Sequence, residues 1–236
     1  MSHKNVIKGI KISFSLTALL LLSACQSTSL IQDYTDEHQH SEFLSDYTKL
    51  EQTTGLDGEP VLRWISPELS KSKFKNLMIN SVVLQPANIQ TEEISSESLQ
   101  EIQKYFDFQL KKALSSKYTL SDKPSDDTAQ VKLAITGIQL ESEGMKVTEV
   151  LPYGAVIGLI RTATDTRNRE VTVLLEMEIL NSKTQAPMLQ LLRVGEGENV
   201  RMLWGPNFEL EHVQQLLDGW VSLAATNFQA LIKFKS

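Results

Sequence analysis

The chain has 236 residues, with 23 basic and 29 acidic side chains and a net charge of −6 with histidine neutral. That balance argues against nucleic acid, which needs a basic face to neutralise its phosphates, and a single cysteine excludes a disulfide within the chain. With 41% apolar residues the length is ample for one domain with its own core.

The first 24 residues follow the order of a secretory signal: Lys4, Lys8 and Lys11 with no acid, an apolar stretch from Ile12 to Leu22, then the small pair Ser23-Ala24. The stretch is shorter than the roughly 20 residues needed to cross about 30 Å of hydrocarbon. It is also interrupted by Ser13, Ser15 and Thr17. Leu22-Ser23-Ala24-Cys25 resembles the lipobox of bacterial lipoproteins, which implies cleavage before Cys25, diacylglycerol on its sulfur and acylation, as with palmitate, of the new amino terminus. Each buried methylene contributes about 0.8 kcal/mol, so two or more chains hold a protein firmly to a membrane. In the Gram-negative lipoproteins it resembles, an aspartate after the cysteine marks inner-membrane retention; Gln26 here implies transfer to the outer membrane, and the location expected is its periplasmic face. Without residues 1–24 the balance is 20 basic against 29 acidic residues, or −9, so the acyl chains rather than surface charge must hold the membrane.

Residues 25–42, the lipidated cysteine and the polar run "QSTSLIQDYTDEHQHSE", sustain neither a 3.6 nor a 2.0 apolar period and read as a flexible tether. His38 and His40 beside Asp36 and Glu37 match no ligand spacing, so no metal is expected. A single domain is expected over 43–236. It opens with Phe43, Leu44, Tyr47 and Leu50 at the spacing of one or two helical turns, and Gly55 to Pro60 breaks the chain. "VLRWI" and "KNLMINSVVLQP" read as strands, the second closed by Pro86. Leu99, Ile102, Phe106, Leu110 and Ala113 predict an amphipathic helix to about Ser116, with Ser98 and Glu101 spaced as a capping box. Val131, Leu133 and Ile135 alternate in one strand, and Val171, Val173, Leu175, Met177 and Ile179 in another. "PMLQLLRV" follows across Asn181-Ser182-Lys183-Thr184 as the second arm of a hairpin. Glu209 to Phe234 closes the chain as a helix with Leu210, Val213, Leu217, Trp220, Ala224, Phe228 and Leu231 in one stripe. The fold class expected is α+β: one two-layer sandwich with a mainly antiparallel or mixed sheet and two long amphipathic helices.

"SEFLSDYTKL", "VKLAITGIQLE", "LPYGAVIGLI", "VTVLLEMEIL" and "LLDGWVSLAATNF" together resemble the bacterial lipoproteins grouped as domain-of-unknown-function family 3313, over most of residues 41–232. The resemblance implies an envelope lipoprotein and supplies no catalytic residue, because its motifs are packing patterns.

Chemistry has few candidates. Glu176 and Glu178 share a strand face and could divide acid and base roles, but alternation alone favours the outer face of a half-exposed strand. "GEGEN", Gly195 to Asn199, lacks the third glycine of a dinucleotide loop and reads as a turn. His212, beside the apolar stripe, has no acid or nucleophile to work with, and no G-x-S-x-G, H-E-x-x-H or P-loop occurs, so no cofactor is expected. Leu151 to Ile160 is almost uncharged, with Gly154 and Gly158 at a close-approach spacing. It is either a buried strand or loop or an exposed patch in which Pro152, Tyr153, Gly154, Val156 and Gly158 meet a partner. The function expected is a lipid-anchored, non-catalytic binding or assembly module with an envelope protein partner; the alternatives are a cell-wall or lipid hydrolase and a lipid or small-molecule carrier.

Overall fold

A computed structural model of the chain describes residues 40–85, 93–142, 168–201 and 208–231. Its strands are β1 (Glu51–Thr54), β2 (Pro60–Ile65), β3 (Asn76–Ile79), β4 (Val83–Leu84), β5 (Thr119–Leu120), β6 (Thr128–Ser142), β7 (Asn168–Asn181), β8 (Pro187–Glu196) and β9 (Val200–Arg201). The helices are α1 (Ser96–Ser115) and α2 (Glu211–Leu231). All nine strands join one mixed sheet in the order β1-β2-β8-β7-β6-β3-β5, with β4 beside β6 and β9 beside β7. The long strands β2, β8, β7 and β6 run antiparallel, whereas β3, β4 and β5 pair in parallel. The fold is α+β, as expected.

The strand alternation places residues as read. Val131, Leu133 and Ile135 of β6 and Val171, Val173, Leu175, Met177 and Ile179 of β7 are buried in one core cluster with Leu99, Ile102, Phe106 and Leu110 of α1 and Val213, Leu217, Trp220 and Phe228 of α2. In β6 the period breaks at Thr136, where the pairing to β7 shifts between Ile135 and Gly137. That bulge inserts one residue, so Ile138 and Leu140 return to the same core after an odd spacing. The β7–β8 turn is held by Asn181, whose Oδ1 accepts from the Lys183 and Thr184 backbone N–H groups at 3.0 Å.

Several expectations are corrected. Residues 41–50 form no helix; bends and one turn, closed by Leu50 N donating to the Tyr47 carbonyl at 3.1 Å, bring Leu44, Tyr47 and Leu50 onto Leu62 and Leu192. The 3.6 spacing marked burial and not helicity, since ten residues are too few to offset helix nucleation from local bonds alone. Glu51–Thr54 is an edge strand that the sequence reading left unassigned. "KNLMINSVVLQP" divides into β3 and β4, and Pro86 lies outside the described residues. The α1 cap is Ser95, whose side chain accepts from Ser98 N at 3.1 Å, three residues before the expected cap.

The glycines of "GEGEN" serve packing and do not make a turn: Gly195 lies within β8, which ends at Glu196, and the chain runs on along β7 as β9. A Cβ on Gly195 would lie 2.6 Å from side-chain atoms of Leu216 and Trp220, and one on Gly197 would fall onto the His212 carbonyl oxygen. Only bare backbone lets the β8 end meet the start of α2 this closely. There Glu198 N donates to the His212 carbonyl at 2.6 Å, and His212 Nδ1 accepts from Glu209 N at 3.1 Å. His212 is therefore part of the helix start.

Candidate functional site: a buried carboxylate pair under the amino-terminal segment

The face of the sheet turned away from the helices carries charge. In β7 the residues alternating with the core set include Thr172, Glu176 and Glu178, and Glu178 stands opposite Lys132 of β6 and Gln190 of β8. The segment at Ser41–Leu50 crosses this face and covers it. Glu176 and Glu178 are thereby 1% and 2% exposed, which overturns the expected half-exposed outer face. Alternation locates the face a residue is on; it cannot show that a distant segment will close over it.

The two carboxylates are held differently. Ser41 Oγ lies 2.8 Å from both oxygens of Glu176, and Tyr47 OH donates to Oε2 at 2.6 Å. Among the described residues no cation bonds Glu176, and burial pushes its carboxyl above the ordinary glutamate value even though Tyr47, Ser41 and Thr136 hydrogen-bond to it. Glu178 receives Ser45 N at 3.0 Å, Gln190 Nε2 at 3.0 Å and Lys132 Nζ at 3.1 Å. Burial again pushes upward, but these donors outweigh it and hold Glu178 below the ordinary value. Burial and the neighbouring Glu176 push the Tyr47 phenol up, so it stays a proton donor.

Tyr47 organises the segment. Its hydroxyl accepts from Phe43 N and Leu44 N, each at 3.1 Å, while its ring stacks on His40 with centroids 3.9 Å apart. Gln190 Nε2 also reaches Ser45 Oγ at 2.8 Å, and Gln85 Nε2 donates to the Ser41 carbonyl at 3.2 Å. Lys132 Nζ sits 5.3 Å from the centre of the Phe43 ring. The result is a clamp: two strand carboxylates gripping the segment through side-chain and backbone donors. Sequence reasoning found Glu176 and Glu178 but not their partners Ser41, Tyr47, Lys132 or Gln190, because Ser41 and Tyr47 come from more than a hundred positions away and Lys132 and Gln190 from neighbouring strands whose register no local spacing gives. Ser41 also lies on the far side of the expected tether boundary, yet it is buried.

Other sequence candidates lie outside the described residues: Leu22, Ser23, Ala24, Cys25 and Gln26, and the whole run Leu151 to Ile160 with Pro152, Tyr153, Gly154, Val156 and Gly158. Among the described residues no group of three or more His, Cys, Asp or Glu side chains is placed to hold a metal, and no helix is long and apolar enough to cross a membrane.

A mixed sheet with two helices packed on one face and the amino-terminal clamp on the other defines an α+β fold. Residues 39–224 match the family described as Protein of unknown function (DUF3313), and the chain belongs to that family. A relative from Escherichia coli K12, Uncharacterized lipoprotein YdcL, is 28% identical over 204 residues, covering 86% of this chain and 89% of the relative. The protein of that name in Escherichia coli O157:H7 matches to the same degree. Among solved structures, a PelC dodecamer from Paraburkholderia phytofirmans overlaps with a TM-score of 0.33 at 12% identity, over 73% of this chain and 95% of that one. The hypothetical protein CT253 from Chlamydia trachomatis overlaps at 0.31 and 10% identity, over 53% and 73% of the two chains. Overlaps this partial transfer neither ligand nor assembly.

Proposed function

We propose that this chain is a lipid-anchored envelope protein, acylated at Cys25 and held at the periplasmic face of the outer membrane, whose body is a non-catalytic binding or assembly module. In this reading residues 1–24 are removed, 25–42 are the lipidated tether and 43–236 a two-layer α+β domain. The lipobox Leu22–Cys25, Gln26 and the lipoprotein name of the Escherichia coli relative support the anchor. The observation that carries the binding role is the clamp. Ser41, at the end of the tether, and Tyr47, at the start of the body, seal the carboxylate pair that the sequence offered for acid–base chemistry, and they fix the body to the segment leading from the membrane. The hydrolase alternative loses its named residues, because an acid and a base must reach the substrate and these two reach Ser41, Ser45 and Tyr47 instead.

The test is metabolic labelling with palmitate followed by membrane fractionation, with Cys25→Ala alongside. Label and outer-membrane recovery in the wild type, both lost in Cys25→Ala, is the expected result. A wild-type chain that takes no label refutes the anchor, and recovery in the inner membrane refutes the sorting role of Gln26.

A further inference from the structure

At the β2–β8 edge the helix-facing side of the sheet carries charge. There Val61 and Arg63 of β2 stand opposite Arg193 and Leu191 of β8. Arg193 is more than nine-tenths buried. Its guanidinium lies 5.0 Å from the centre of the Trp220 ring, and Nη2 donates to Asp57 Oδ2 at 2.5 Å. Its Nε is buried and has no hydrogen-bond partner among the described residues. A buried cationic donor left unmet is costly, and a guanidinium is built to take a carboxylate with two parallel bonds. Asp57 supplies one oxygen from the exposed turn between β1 and β2, a turn closed on itself by Gly55 N donating to the Glu59 carbonyl at 2.7 Å. It can swing without breaking a sheet pair, since β1 and β2 pair from Thr54 and Pro60 outward.

Two hollows meet at this arginine. One is an apolar cavity of about 80 Å³ between sheet and helices, walled by Leu110, Leu133, Met177 and Phe228 among others. The second is a surface groove of about 930 Å³ between the end of β8 and α2. Arg193, Trp220 and Leu223 border both. A cavity of about 150 Å³ holds a benzene ring. The smaller one here suits a single aliphatic side chain and is too short for a fatty acyl chain. Among the described residues the groove sets Asp57, Glu59, Glu196 and Glu198 against Arg193 and His212, so an anion is welcome at Arg193 and the part of an occupant that runs past the carboxylates should be cationic. Gly219 borders the groove from the middle of α2, and a Cβ there would meet nothing within 4 Å. A glycine costs helix stability relative to alanine. No contact among the described residues requires this one, and it keeps the groove clear.

From these features we infer that the groove captures the carboxy-terminal peptide of a partner protein, one ending in an apolar residue preceded by basic residues. The terminal carboxylate replaces Asp57 on Arg193, the last side chain enters the cavity, and the basic residues run past Glu59, Glu196 and Glu198. Capture of a chain terminus through its carboxylate is an established recognition mode. The inference rests on the binding-module reading above and names the class of partner.

The purified full chain is titrated with a dye-labelled peptide, Ser-Lys-Lys-Gly-Lys-Leu, bearing a free carboxyl terminus. It is compared with the same peptide as its terminal amide and with one in which Glu replaces each Lys. The acid should bind at least about tenfold more tightly than the amide, and the Glu version should lose about tenfold or more. Arg193→Gln should bind acid and amide alike. Gly219→Leu, which meets open space, should unfold at the wild-type temperature or above while binding the acid at least about tenfold more weakly. Equal affinity for acid and amide, absence of binding at about 1 mM, or full affinity in Gly219→Leu overturns the inference. So does saturable binding of laurate at the groove with none of the peptide, which would make it a site for an anionic amphiphile. Acylation of Cys25 is read independently, so a wild type that is labelled with palmitate but ignores every peptide refutes the groove alone, whereas an unlabelled one refutes the envelope reading.

Discussion

Tyr47→Phe removes one oxygen and leaves the ring, so it isolates the clamp from the packing around it. The lost hydroxyl is the donor to Glu176 at 2.6 Å and the acceptor for Phe43 N and Leu44 N at 3.1 Å. Phe43 N retains Ser41 Oγ at 3.2 Å as a second acceptor, whereas Leu44 N has no other hydrogen bond among the described residues. A hydrogen bond to an ionised group contributes about 1.5–3 kcal/mol, and an unmet buried N–H adds about 1 kcal/mol or more, giving roughly 2–4 kcal/mol in all. Proton uptake by Glu176 in the variant would place the loss at the lower end, because burial already favours its neutral form. Stacking on His40 and the contacts with Leu62 and Leu192 remain. Urea unfolding at neutral pH should show the midpoint falling by roughly 1–2 M with an unchanged slope, and hydrogen exchange should show the Leu44 amide losing protection. A loss below about 0.5 kcal/mol together with full protection of that amide would refute the clamp as an energetic unit.

The paired carboxylates predict opposite pH behaviour. Glu178, held below the ordinary value, stabilises the fold above that value and loses its contribution as pH falls through its own lowered one. Glu176, held above it, favours the fold most at low pH and loses its contribution as pH rises through its raised value. At neutral pH Glu178→Gln should therefore destabilise more than Glu176→Gln, and urea midpoints taken from about pH 4 to 8 should diverge; parallel curves would contradict the assignment. Gly197→Ala should cost about 1–3 kcal/mol by overpacking against the His212 carbonyl, and a thermal unfolding scan indistinguishable from wild type would show that the β8 end can yield.

The long strands and helices were legible because their apolar residues recur with one period over ten or more positions. The alternation of β7 and the stripe of α2 each demand a covered face whatever lies elsewhere in the chain. The proposed processing site Leu22–Cys25 rests on a local string rather than on a fold, so its test is chemical labelling and not the tertiary structure. Local pattern failed at the short pieces. Residues 41–50 show a helical spacing yet form bends, because their apolar side chains are positioned by Leu62 and Leu192 from other strands and not by their own backbone bonds. Glu176, Glu178 and Arg193 mark the boundary most sharply. Sequence placed the two glutamates on one face, and the residue types said charged, hence exposed. The tertiary structure reversed that by laying Ser41 and Tyr47 across the face, and it brought Asp57 and Trp220 to Arg193. Burial of a charge depends on donors contributed from distant parts of the chain, and no periodicity records where those parts will meet.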